Sequence, residues 1–198
     1  MPDLQEIERD VEQEAIEIKG RLKDIEKTAL EAFTAFNVQV EPKKKAELTA
    51  KRLVNASVSA SQMGDNIKAI AALRVAVTVD DNCWEAYYNL GWQYLTLGKK
   101  LHDPFMGKVS VMSGDSFNHA LTARLEMYER AISYLQRTIQ LKPDHSKGWC
   151  LLGQTRYYMA QYHEAKDAYE KAIALDPTGE GGRMAAESLR IMNDTTKR

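Results

Sequence analysis

Apolar and polar residues follow a helical period through most of the chain. Leu4, Val11, Ile18, Ile25 and Ala32 recur every seven residues, and Ala15, Leu22, Ala29 and Phe36 recur every seven between them. This 3–4 spacing is the seam of a coiled coil, with Glu8 as its one acidic interruption. The stretch holds no Pro and a single Gly, Gly20, which weakens a helix by about 1 kcal/mol without breaking it. The pattern predicts one long helix from Leu4 to Phe36, about 50 Å in length. Pro42 and three lysines follow, and residues 41–49 read as a solvated linker.

Beyond the linker the apolar positions come in shorter groups. Residues 146–179 place Trp149, Leu152, Gly153, Ala165, Tyr169, Ala172 and Pro177 at positions 4, 7, 8, 20, 24, 27 and 32 of a 34-residue unit. Small residues at 8 and 20 let two short helices approach closely, and the large residues fill the space beside that contact. Pro177 has no N–H to give and ends the second helix. The unit resembles the tetratricopeptide (TPR) repeat, which carries large, small and proline residues at these spacings. One departure is Arg156 at position 11, where the repeat carries Tyr. The resemblance implies pairs of helices, A and B, stacked in register, since one pair cannot bury both of its apolar faces.

Two more frames fit the same register. From Ala50, Leu53, Ala56, Ser57, Ala60, Ala69, Leu73 and Ala76 take positions 4, 7, 8, 11, 20, 24 and 27, with Asp81 in place of the proline. From Trp84, Tyr87, Leu90, Gly91 and Tyr94 form a strong helix A, but Ala131, Leu135 and Pro143 match helix B only after 28 extra residues. The reading is an all-α fold: a right-handed TPR superhelix, or α-solenoid, of three repeats at 50–83, 84–145 and 146–179. A coiled-coil-like helix (1–40) precedes it. Residues 180–198 form a capping helix and tail, with the helix from Gly181 to Asn193.

The insertion divides in two. Ser113 or Asp115 caps a helix whose stripe of Leu121, Leu125, Tyr128, Ile132, Leu135 and Ile139 makes helix B two to three turns longer than usual. Before it, from Lys99, Pro104, Gly107 and Gly114 predict a loop bearing Phe105, Met106, Val109, Val111 and Met112. That loop either packs on the extended helix or offers a second interaction site.

Charge narrows the function. The net charge of −1 over 198 residues argues against a nucleic-acid binder. No apolar run reaches the roughly 18 residues of a membrane span. The acidic N-terminus is unlike a signal peptide, and Cys83 and Cys150 have no metal-type spacing, so a cytoplasmic protein is expected. Residues 1–40 carry ten acids and five bases, a net of −5; residues 41–198 carry 18 acids and 22 bases, a net of +4. Self-pairing of residues 4–36 into a homo-oligomer is the reading taken. Fold-back onto the positive solenoid and a foreign helix are the alternatives.

His102, Asp103, Asp115 and His119 cluster in sequence, with Asp115 and His119 four apart as a metal would want. Asp115 is also the natural N-cap, and no phosphate-cradling glycine loop or nucleophile motif accompanies them. No cofactor is expected and no enzyme. The resemblance instead implies a concave groove lined by the A helices, and so a protein scaffold or adaptor that takes a peptide or helix. Its candidate lining is Lys51, Asn55, Tyr88, Asn89, Trp92, Lys147, Leu151, Gln154, Tyr157 and Tyr158. TPR domains that hold chaperone C-termini clamp the terminal carboxylate with Lys, Asn, Asn, Lys and Arg. Only Asn89 and Lys147 match that set here; Val54, Val58 and Leu151 stand at the other three positions. An apolar or amphipathic segment suits the groove better. Two alternatives are a self-assembling structural protein whose groove receives a neighbouring subunit, and a small metal-dependent enzyme or regulator.

Overall fold

The computed structural model describes residues 16–17, 20–24, 27–28, 43–106 and 114–196. The short N-terminal stretches are helical, and seven helices follow: α1 (Lys43–Gln62), α2 (Asn66–Val79), α3 (Trp84–Met106), α4 (Gly114–Leu141), α5 (Ser146–Tyr158), α6 (Tyr162–Leu175) and α7 (Glu180–Thr196). They pack as three hairpins, α1 with α2, α3 with α4 and α5 with α6, and α7 closes against α5 and α6. Helices α1, α3 and α5 are the A helices; α2, α4 and α6 are the B helices.

Each hairpin is built as the spacing requires. At position 20, Ala69, Ala131 and Ala165 are fully buried. At position 8, a Cβ on Gly91 would stand 2.5 Å from Leu135 Cγ, and one on Gly153 would stand 2.6 Å from the Tyr169 ring. The first hairpin carries Ser57 at that position. Its buried hydroxyl donates to the Val54 carbonyl (2.6 Å), so the polar atom is satisfied inside its own helix. At position 11, Tyr94 is fully buried and stacks on Tyr134, with ring centroids 5.5 Å apart. Gly64 turns α1 into α2 at φ +80°, and Asp65 caps α2 by accepting from the Lys68 amide (3.0 Å).

Three expectations need correcting. Residues 43–49 of the expected linker are helical, because α1 starts at Lys43 rather than at Ala50. The Glu47–Lys51 pair (2.8 Å) supports the added turns. The expected loop from Lys99 is helical as far as Met106, which puts Phe105 and Met106 on α3. The anchor is tertiary: Lys100 Nζ donates to Asn66 Oδ1 (2.9 Å), and Leu101 is 4% exposed. Pro104 sits in the final turn, and α3 ends two residues later. Val109, Val111 and Met112 lie outside the described residues. The third correction is small: α7 runs to Thr196, three residues past the expected end of the cap.

The long helix B is present as α4, at 28 residues against 14 for α2 and α6, an excess of about four turns where two to three were expected. With the 23 residues of α3 it forms a hairpin that overhangs its neighbours. A polar chain ties the middle of α3 to the α1–α2 turn. Asn66 Nδ2 donates to Gln93 Oε1 (2.7 Å), and Gln93 Nε2 donates to Ser61 Oγ (2.9 Å).

Candidate functional site

The candidate groove runs across α1, α3 and α5. Val58 on α1 and Trp92 on α3 hold the same position in their frames, and both are 41% exposed. They form an apolar ridge on neighbouring helices. Lys51 and Asn55 are exposed beside it; Lys51 pairs with Glu47 along its own helix. Asn89 donates to the Glu85 carbonyl (2.7 Å). Tyr88 is half-buried, with its edge toward His145 at 4.7 Å. Burial pushes its phenol up to about 12, so it is a neutral donor at physiological pH.

The α5 end is different. Leu151 is 1% exposed and belongs to the core, a correction to its candidate place on the groove surface. Lys147 pairs with Glu180 at the start of α7. Gln154 donates to Ser188 of α7 (3.3 Å), and Ser146 donates to Asp176 (3.3 Å). Tyr158 stacks on Tyr128 of α4 at 5.6 Å with Lys99 over its ring, and Tyr157 meets both Tyr158 and Tyr162 edge-on. Of the ten candidates, then, Lys51, Asn55, Tyr88, Asn89 and Trp92 lie around the open ridge, while α7, α4 or the core engages the α5 members. Val58, placed in the groove by its register but outside those ten candidates, joins them, since it shares Trp92's position.

His145 orders the floor between the second and third hairpins. Its Nδ1 accepts from the Gly148 amide (3.0 Å), and its ring sits between Trp84 and Tyr88, 4.7 Å from each. Burial, then the charges of Lys142 and Lys147, push its imidazole down to about 4, so it is neutral and fit to accept. Behind α5, Trp149, Leu152, Arg156, Glu164, Asp167, Ala168 and Lys171 line an open cavity of about 400 Å³. It lies where Arg156 replaces the aromatic ring that Tyr94 supplies in the second hairpin.

No metal centre is assembled among the described residues. The side chains of His102, Asp103, Asp115 and His119 lie outside them. No helix among the described residues is long and apolar enough to cross a membrane.

Residues 146–178 match the family model of the tetratricopeptide repeat. That stretch is a tetratricopeptide repeat. The Hsp70-Hsp90 organizing protein of Triticum aestivum is 39% identical over 62 residues, 31% of this chain and 11% of that protein. The co-chaperone sgt12 of Aspergillus fumigatus is 37% identical over 71 residues, 36% of this chain and 19% of its own length. The TPR repeat-containing protein PA0015 of Pseudomonas aeruginosa is 33% identical over 63 residues, 32% of this chain and 59% of that one. The chain therefore spans less than two thirds of each of these relatives. Among solved structures, the first TPR domain of Spaghetti (RPAP3), bound to the HSP90 peptide SRMEEVD, superposes with a TM-score of 0.57 at 17% identity. That match covers 77% of this chain and 96% of that one. The Sgt2 TPR domain from Aspergillus fumigatus gives 0.55 at 20% identity, over 75% and 79%. These likenesses establish the TPR α-solenoid, a right-handed superhelix.

Proposed function

We propose that this TPR protein is a non-enzymatic cytoplasmic adaptor whose groove takes an internal apolar or amphipathic segment of a partner protein. The observation that carries the reading is the exposed apolar pair Val58 and Trp92, with Val58 standing where an amide side chain would be needed to hold a terminal carboxylate. Val54 is 8% exposed, Leu151 is buried, and Lys147 is already paired with Glu180. A carboxylate seated there would lose its water and gain little, which costs several kcal/mol. The relatives named for Hsp70 and Hsp90, and the neighbour bound to an HSP90 peptide, support peptide capture as the activity. The lining of this groove argues for a different end of the ligand. The two free thiols, both buried, suit a reducing compartment.

The test is a binding comparison by Trp fluorescence. One set of peptides carries a free C-terminal EEVD; the other comprises blocked amphipathic helices with two or three apolar anchors. The blocked helices should bind at least tenfold more tightly, and Trp92→Ala should remove that preference. Tighter binding of the free EEVD peptides, unaffected by Trp92→Ala, would overturn the reading.

For residues 4–36, self-pairing of the N-terminal seam competes with fold-back on the same chain. One observation favours fold-back: Leu22, a seam residue, is 4% exposed within a single chain.

A further inference from the structure

The second and third hairpins share one frame but fill it differently. In the second, Tyr94 at position 11 is fully buried and stacks on Tyr134 at position 23, with ring centroids 5.5 Å apart. The guanidinium of Arg130, at position 19, lies 5.7 Å from the Tyr94 ring centre and donates to Tyr94 Oη (3.5 Å). Arg137, at position 26, lies 5.8 Å from the centre of the Tyr87 ring. In the third hairpin Arg156 and Ala168 stand at positions 11 and 23, so neither ring is supplied. The cavity of about 400 Å³ against α5 and α6 takes their place. Its floor is apolar. Leu152 and Ala168 are buried, and Trp149 is half-buried and fixed by the bond from its Nε1 to the Pro143 carbonyl (2.9 Å). Cations remain at the edge, as Arg156 and as Lys171 at the position of Arg137. Arg156 donates to Gln161 (3.1 Å), which holds its guanidinium toward the α5–α6 turn. Glu164 replaces Arg130, and Asp167 lies 3.3 Å from His163.

We propose that this cavity is a docking site for a tyrosine side chain of a partner protein, seated where the second hairpin seats its own. Three features select that occupant. The space is the one that rings fill in the sister hairpin, and its volume lies within the roughly 300–1,000 Å³ of ligand sites. Arg156 and Lys171 offer cations to a ring face, as Arg130 and Arg137 do for Tyr94 and Tyr87. Glu164 stands where Arg130 meets Tyr94 Oη; its carboxylate accepts from a phenol hydroxyl, which selects tyrosine over phenylalanine. None of the lining residues belongs to the groove, so the site stands whether or not the groove takes an apolar segment.

The experiment titrates the isotope-labelled full chain with N-acetyl-tyrosinamide and follows its amide and indole NMR signals. Saturable shifts should appear at Trp149, Leu152 and Ala168 at millimolar probe, the range expected of so small a ligand. N-acetyl-phenylalaninamide should bind about threefold more weakly, the share of one hydrogen bond, and Glu164→Ala should erase that difference. Arg156→Tyr restores a ring at position 11 and should abolish the shifts. Ala168→Met fills the same space and serves if Arg156→Tyr does not fold. A blocked pentapeptide with tyrosine at its centre should bind at least as tightly as the amide. Four results would each overturn the proposal. These are no saturable shift at the cavity in the native chain, equal binding of the tyrosine and phenylalanine probes, and unchanged binding in a folded filling variant. The fourth is exclusion of the peptide, which would leave a site for free phenols only.

Discussion

Gly153→Ala isolates the contact on which the third hairpin is built. The added Cβ would stand 2.6 Å from Tyr169 Cδ1 and Cε1 and 3.1 Å from the Ala165 carbonyl oxygen. Tyr169 is 1% exposed, so its ring has no solvent to move into, and the carbonyl is fixed in the backbone of α6. Relief must come from pushing α5 and α6 apart, and overpacking of this kind costs about 1–3 kcal/mol. Ala is a better helix former than Gly by about 1 kcal/mol, which offsets part of that. The net loss should be about 1–2 kcal/mol, with Tm falling about 2–4 °C for each kcal/mol lost in a chain of this size. Urea melts followed by circular dichroism give the number. Two comparisons sharpen it. Gly20→Ala meets nothing within 4 Å and should not destabilise the protein. Adding Tyr169→Leu to Gly153→Ala should cost less than the sum of the two single changes, because the smaller side chain makes room. A Gly153→Ala protein as stable as the native one would refute the claim that helix approach, rather than propensity, selects glycine at position 8.

Further consequences follow from the buried polar groups. His145 has a folded-state pKa of about 4, below the ordinary value of 6.5, so its contribution to stability is present above about pH 6.5 and is lost as pH falls toward 4. Below that it changes no further. Allowing for its partial exposure the loss is about 1–2 kcal/mol, and His145→Asn should remove that slope from a plot of urea midpoint against pH. Gln93→Leu strands the buried Asn66 amide and should cost about 1–3 kcal/mol in the same assay. Burial pushes the Cys150 thiol up to about 12 and also raises that of Cys83. Both should resist a thiol reagent at mildly alkaline pH until the protein unfolds. A fast-reacting thiol in the native protein would contradict their placement in the core.

The sequence by itself determined the hairpins and their register. Gly91 and Gly153, with Ala69, Ala131 and Ala165, sit where two backbones must nearly touch, and no other arrangement explains small residues at those intervals. Helix B of the second hairpin was equally legible, because its apolar stripe continues unbroken from Leu121 to Ile139. Chain periodicity says which residues share a face, however, and not what that face meets. Leu151 and Gln154 occupy groove positions by register, yet one joins the core and the other bonds to α7, since neighbouring helices decide burial. The extension of α3 through Pro104 was hidden for the same reason. Its local sequence reads as a loop, and contacts from Asn66 to Lys100, sequence-distant by 34 residues, hold it as a helix. The N-terminal seam shows the limit most clearly. A heptad pattern is equally satisfied by a second copy, a foreign helix or its own solenoid. Only the tertiary structure, by burying Leu22 in the core while leaving Ile16 exposed, favours the last of these.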